Sequence, residues 1–216
     1  IPERSIDIPF ADRYSACFLN SDKIIKLKDN SLQLLIQKFY NDTFVVDQNA
    51  CSSPQIIFWT KTNSSKAKKI FWKNLSKYIS KKYKPPEISV IDNYNKLCSN
   101  LLERSSLIKN FKIFDKSIYT ISLKKLDNKI TSLRGKWGFF YEFEIKNLDK
   151  ISKIIDKKFQ TLTYYGFEKD YFLNFMKKKK LSGIDRFVPV GQALNIELVW
   201  DGYDLNKILS REVTIK

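Results

Sequence analysis

The sequence predicts an α/β domain with a largely parallel central sheet flanked by helices. Three observations carry that prediction. Short β-compatible runs alternate with helical patterns over most of the 216 residues, and parallel strands need a crossover element of that kind between them. In the clearest strand, Phe139, Tyr141, Phe143 and Ile145 alternate with Phe140, Glu142 and Glu144, so one face is uniformly apolar. Hydrophobic residues make up 43% of the chain and aromatics 14%, which supplies a substantial core and argues against disorder.

Taken in order, Tyr14–Leu19 reads as a strand. Asp29-Asn30-Ser31 offers caps to a helix whose apolar face is Leu32, Leu35, Ile36 and Phe39. A polar turn containing Cys51 separates this helix from an apolar strand, Ile56–Trp59. Ser64-Ser65 then caps a helix with Ile70, Phe71, Leu75, Tyr78 and Ile79 on one side. Pro85-Pro86 ends it, because proline has no amide hydrogen for a helix interior. The pattern continues with a helix from Asp92 to about Leu107 that turns Leu97, Leu101 and Ile108 inward. Strands follow at Phe111–Phe114, Ile118–Leu123 and Trp137–Ile145. Leu148–Lys157 reads as a helix, Thr161–Tyr165 as a strand, and Glu168–Lys180 as a helix ending near Gly183. Ile184–Val190 completes the strands and Tyr203–Ser210 reads as a terminal helix. No repeat, low-complexity segment or linker divides the chain, so 1–216 is read as one unit.

The net charge of +16 admits nucleic acid, an anionic surface or a phosphorylated ligand as a partner. Residues 66–84 hold eight lysines and no acid, and a nucleic-acid binder would interleave them with Phe71, Trp72 and Tyr78 for stacking. The helical spacing of Phe71, Leu75, Tyr78 and Ile79 favours a core stripe with the lysines on its wet side, and lysine-rich composition accounts for the charge more simply. A basic non-catalytic nucleic-acid-binding module stays open as the rival from another class. Lys177–Lys180 closes a helix, where cations oppose the negative end of the dipole. Glu142 and Glu144 are read as acids on an exposed strand face.

No apolar run approaches the roughly 18 residues of a membrane span, and the start of the chain, which is not Met, shows no signal-peptide pattern. The chain reads as a piece of a longer protein. Cys17, Cys51 and Cys98 have no CxxC spacing and the chain has no histidine, so no metal site is expected, and an odd set of thiols suits a reduced, cytoplasmic setting.

Cys51 is the one nucleophile with an obvious setting, in Asp47-Gln48-Asn49-Ala50-Cys51-Ser52-Ser53-Pro54-Gln55. Cys17 within an apolar run and Cys98 beside Leu97 read as packing. A free thiol is only about 3% ionised at neutral pH, so activation has to come from amides, a dipole or cations. A cysteine–histidine pair is excluded within the chain, and a buried structural thiol is the competing reading of Cys51.

Asp12-Arg13-Tyr14-Ser15, Asp42, the Asp47–Gln55 loop, Gln160-Thr161, the Gly183–Gly191 segment and Trp200-Asp201-Gly202-Tyr203-Asp204 resemble, in order along the chain, the LuxC-type long-chain acyl-CoA reductases. These are fatty-acid reductases of bacterial bioluminescence and their relatives, within the aldehyde dehydrogenase superfamily. The resemblance implies that this chain is the C-terminal, cysteine-bearing half and that the dinucleotide-binding half lies upstream. It further implies that Cys51 takes an acyl group from acyl-CoA or an acyl-transferring partner such as an acyl-protein synthetase. NADPH would then reduce the acyl-enzyme to fatty aldehyde, and a homo-oligomer is expected. By the same resemblance Asp47, Gln48, Asn49, Ser52, Ser53, Pro54 and Gln55 shape the loop, the amides of Asn49 to Ser53 hold the oxyanion, and Asp185 and Arg186 order the nearby sheet edge.

Two positions depart from the superfamily. Residues 8–13 contain no glutamate where aldehyde-oxidising members place a general base, which suits reduction better than aldehyde oxidation, the rival enzyme reading. Gly135-Lys136-Trp137-Gly138 stands where a Glu-x-Phe-Gly holds the nicotinamide ribose, so no cofactor residue carries over.

Overall fold

The structure is a computed structural model that describes residues 5–10, 12–126 and 128–215. Seven strands form one sheet in the order β3-β4-β5-β2-β1-β6-β7. They are β1 (Tyr14–Leu19), β2 (Pro54–Thr60), β3 (Ile108–Phe114), β4 (Ile118–Leu123), β5 (Phe139–Ile145), β6 (Phe159–Tyr165) and β7 (Arg186–Pro189). Every pairing is parallel except the β3–β4 hairpin at one edge. A small antiparallel ribbon, β8 (Val199–Trp200) with β9 (Tyr203–Asp204), lies outside the sheet.

The central strands are buried on both faces, and the two-residue period sorts their side chains between two cores. Tyr14, Ala16, Phe18, Ile56, Phe58, Phe139 and Tyr141 enter one core. Cys17, Leu19, Ile57, Trp59 and Phe140 enter the other. Helices α1 (Ser21–Ile25), α2 (Asp29–Thr43) and α3 (Ser64–Lys82) supply the second core with Ile24, Leu35, Phe39, Phe71, Trp72 and Ile79. Helices α4 (Ile88–Glu103) and α5 (Lys169–Lys179) supply the first with Leu97, Phe172 and Phe175. Phe71 and Trp72, with Leu75 and Ile79, are buried in the second core, so two of the three aromatics that a nucleic-acid binder would use on α3 are covered; Tyr78 is half-buried. Among the described residues no helix is long and apolar enough to cross a membrane.

Several local expectations are corrected. Neither Asn30 nor Ser31 caps α2, nor Ser64 or Ser65 α3: these residues lie inside the helices, behind Lys28 and Asn63. Asp29 still favours the positive helix end from the first turn. Helix α4 begins at Ile88, one residue after the prolines with Glu87 at its N-cap, and ends at Glu103, so Ile108 opens β3 instead of facing inward from a helix. Leu148–Lys157 forms only a 3-10 turn at Leu148–Lys150 and further turns. Leu148, Ile151 and Ile155 have helical spacing and are buried, but of these residues Ile155 alone bonds four back, while Ile151 and Ile154 bond three residues back. That tighter turn rises further per residue, and this connection has to pass β2 and β1 to reach β6. At the C-terminal end Tyr203-Asp204 pairs as β9, and the Asp204 carboxylate accepts from the Lys207 amide to start a four-residue α6 (Leu205–Ile208).

The largest correction concerns Glu142, which is not on an exposed face. β5 lies between β4 and β2 with α3 above it, so Glu142 is 3% exposed. Its Oε1 accepts from the indole N–H of Trp59 at 2.8 Å and of Trp72 at 2.7 Å. Oε2 accepts from the Ser122 hydroxyl, and Lys68 stands 3.7 Å away. Glu144, half-buried, pairs with Lys68 at 3.1 Å; burial opposes its charge, but Lys68 outweighs it and holds the carboxyl below its usual range.

Candidate active site

Cys51 lies at the amino end of β2, in a loop held almost wholly by hydrogen bonds. Helix α2 runs into a 3-10 turn, Phe44–Val46, and the chain reverses through Asp47 and Gln48, both in the left-handed region (φ 53° and 60°). The amides of Asp47, Gln48 and Asn49 close onto the carbonyls of Phe44, Thr43 and Val46. The helix's negative end is thereby satisfied before the thiol is reached. The Tyr83 hydroxyl donates to the Asp47 carboxylate, and burial followed by that contact pushes the phenol well above its ordinary range.

Gln48 and Gln55 are the internal braces. Gln48 Nε2 donates to the carbonyls of Pro54 (3.1 Å) and Phe139 (3.0 Å), while its Oε1 accepts from the Gly138 amide. Gln55 Nε2 donates to the Gln48 carbonyl and its Oε1 accepts from the Gly135 amide at 2.7 Å. The cysteine loop is thus clamped to the Gly135–Gly138 turn, some 80 to 90 residues on. Ser53 donates to the Asp42 carbonyl, and Ser15 Oγ donates to the Cys51 carbonyl at 2.6 Å. Gln48→Ala strands two buried carbonyls and one amide, and is expected to lower stability by about 3 kcal/mol in urea unfolding. Gln48→Glu, which removes the donors, is expected to cost a similar amount.

The loop separates two cavities. On one side, Cys51, Ala50, Ser52, Phe10, Val46, Leu194, Ile196 and Trp200 line a largely apolar cavity of about 380 Å³, with Gln160 and Asp201 at its polar end. Cys51 is exposed; Ser52 is buried. On the other side, Gln48, Asn49, Gln55, Asn93, Lys96 and Trp137 border a more polar cavity, also about 380 Å³. There the Trp137 indole N–H is buried without a partner among the described residues. Burial, then the charges of Arg104 and Lys136, lowers Lys96 from its ordinary range.

The amides expected to serve as an oxyanion site divide. Asn49 and Ser53 are spent on Val46 and Ala50 carbonyls. The amides of Ala50, Cys51 and Ser52 have no partner among the described residues. The departure at Gly135 also has a steric reason: a Cβ there would lie 1.9 Å from the Phe139 carbonyl oxygen, so no glutamate fits without backbone movement.

Residues far apart in the chain build the apolar wall. Arg13 pairs with Asp185 and, at 3.3 Å, with Asp201, which also accepts from Gln160. Arg186 donates to the carbonyls of Gln192, Ala193 and Asn195 and stacks 4.3 Å from the Trp200 ring. Asp42 accepts from the amides of Gly191 (2.6 Å) and Ala193 (2.9 Å). Asp185 and Arg186 therefore order this edge, as expected. The parts played by Arg13, Asp42 and Trp137 leave no signal in local spacing. Cys17 is fully buried, and burial raises its thiol far above the ordinary range; Cys98 is half-buried on α4.

Burial pushes the Asp42 carboxyl up to about 6 from 3.8, against the two amides and Arg186. A carboxyl raised on folding contributes stability that is complete below about pH 4 and is lost as pH rises through about 6. Asp42→Asn is expected to remove that dependence, on the order of 3 kcal/mol between pH 4 and 7, as read by denaturation midpoints across pH.

The NADP-dependent glyceraldehyde-3-phosphate dehydrogenase from Bacillus halodurans C-125, solved with NADP, matches with a TM-score of 0.54 at 10% identity, over 86% of this chain and 39% of that one. The 1-pyrroline-5-carboxylate dehydrogenase from Thermus, solved with bound NAD, gives 0.52 at 7% identity, over 87% and 37%. Aldehyde dehydrogenase 21 from Physcomitrella patens, in complex with the reaction product succinate, gives 0.52 at 10% identity, over 85% and 40%. The fold is that of an aldehyde dehydrogenase domain, and the chain spans about two fifths of the length of these structures. A search of curated proteins by sequence returned no significant match. The family model described as acyl-CoA reductase (LuxC) matches residues 1–211, and the chain belongs to that family.

Proposed function

We propose that this chain is the cysteine-bearing half of a long-chain acyl thioester reductase, and that Cys51 carries the acyl group. The observation behind this is the position of the thiol. It is exposed at the wall of an apolar cavity, while its loop is braced to a second, polar cavity on the other side.

In this reading Phe10, Val46, Leu194, Ile196 and Trp200 receive the acyl chain near its carbonyl. The Cys51 thiolate attacks that carbonyl and expels the donor thiol, coenzyme A or the thiol of a carrier protein. The free amides of Cys51 and Ser52 hold the oxyanion. The residues around the polar cavity fit the nicotinamide end of NADPH: Trp137 contributes an uncommitted indole donor, and Asn49 and Lys96 flank it. When bound, that cofactor supplies the hydride for reduction to aldehyde. Asp201 is the one carboxylate lining the apolar cavity among the described residues, and Gln160 and Arg13 engage it. No carboxylate is left there to activate water, which favours aldehyde over acid as the product.

The test is a chase. Full-length protein loaded with a radiolabelled long-chain acyl thioester is expected to keep the label until NADPH is added, then release it as aldehyde. Release mainly as free acid would overturn the reductase reading.

A further inference from the structure

The opposite end of the sheet holds a further cavity that the acyl chemistry does not use. It measures about 420 Å³ and lies at the carboxyl ends of β4, β5 and β2, three neighbouring strands. Each of them is followed immediately by a lysine facing this cavity: Lys124 after Leu123, Lys146 after Ile145 and Lys61 after Thr60. Lys109 from β3, Lys150 after β5 and Lys68 from α3 complete the lining.

Six lysines thus face two carboxylates, Glu142 and Glu144, an excess of four positive charges around one cavity. Glu142 is already committed to two indoles, Ser122 and Lys68, and Glu144 to Lys68. Lys61, Lys109, Lys124, Lys146 and Lys150 make no ion pair among the described residues. Adjacent strands are about 4.8 Å apart, so the three strand-end ammonium groups are anchored on a base roughly 10 Å wide. Like charges held that close repel unless an anion joins them. The carboxyl ends of parallel strands are also where open α/β sheets take ligands, whereas Cys51 occupies the amino end of β2.

We propose that this cavity binds a small polyphosphate anion. Its concave shape favours a compact, multiply charged ligand over a polymer, and Phe143 is the one aromatic side chain in its lining, too little to stack the bases of a nucleic acid. Lysines act on phosphate as point charges without demanding a fixed geometry, which suits a chain of phosphates carrying three or more negative charges.

The experiment titrates inorganic tripolyphosphate into the full-length protein at low salt with saturating NADPH, read by calorimetry. A second arm with ATP shows whether a nucleoside adds affinity. Saturable binding of tripolyphosphate is expected, weakened at least tenfold in Lys124→Glu/Lys146→Glu and in the milder Lys124→Gln/Lys146→Gln. Lys81→Glu/Lys177→Glu makes the same charge change as the Glu pair, on exposed sites elsewhere, and is expected to bind within about twofold of the parent. Equal weakening in that control would show a general charge effect and overturn the site. So would tripolyphosphate binding no tighter than sulfate at equal ionic strength.

Discussion

Replacing Cys51 by Ala is expected to abolish transfer of a long-chain acyl group to the protein and to reduce aldehyde formation by at least about 10⁴-fold, the scale of losing a covalent nucleophile. Cys17→Ala and Cys98→Ala are expected to keep the label, because Cys17 is fully buried and neither residue lines the apolar cavity. The measurement is mass spectrometry of the acylated peptide beside turnover of full-length protein. Label that persists in Cys51→Ala would sink the assignment. The fold should survive the change, since the Cys51 side chain is exposed and its carbonyl, not its sulfur, takes the hydrogen bond from Ser15. For the proposed acyl transfer, this chain supplies no histidine to stabilise a Cys51 thiolate. The helix entering the loop presents its negative end, already closed by the amides of Asp47, Gln48 and Asn49. That leaves the amides of Ala50, Cys51 and Ser52, unpartnered among the described residues, as the local donors to an anion.

The largest stability effect is expected at Glu142. Glu142→Ala leaves the indole N–H groups of Trp59 and Trp72 buried without an acceptor and removes the partner of Ser122. Lys68 retains Glu144. Breaking one side of so buried a network costs about 3–5 kcal/mol, or roughly 10 °C in Tm for a chain this size. Glu142→Gln preserves an oxygen for both indoles and is expected to cost no more than about 2 kcal/mol. Thermal denaturation followed by tryptophan fluorescence separates the two. A loss in Glu142→Gln equal to that in Glu142→Ala would mean that charge, and not the indole bonds, holds this face together.

Glu142 also marks where sequence patterning stops being informative. Alternation correctly put Phe139, Tyr141 and Ile145 on one core face of β5. It also put Glu142 on the opposite face, but could not reveal that α3 covers that face with Trp72 and Lys68. Helical spacing at Leu148, Ile151 and Ile155 likewise marked three buried anchors without fixing the turn type that joins them.

By itself the sequence determined the α/β class, the order of most strands and helices and the polar loop that isolates Cys51, because periodicity and turn chemistry are local. It also carried the motifs that identify the family. Only the tertiary structure decided that Gln48 and Gln55 clamp the loop to Gly135–Gly138, and that Asp42 reaches Gly191 and Ala193 some 150 residues away. It likewise decided that Arg13 meets Asp185 and Asp201, and that three strand-end lysines share a cavity. Buried polar groups require partners wherever the chain can bring them, and only the path of the whole chain fixes which residues those are.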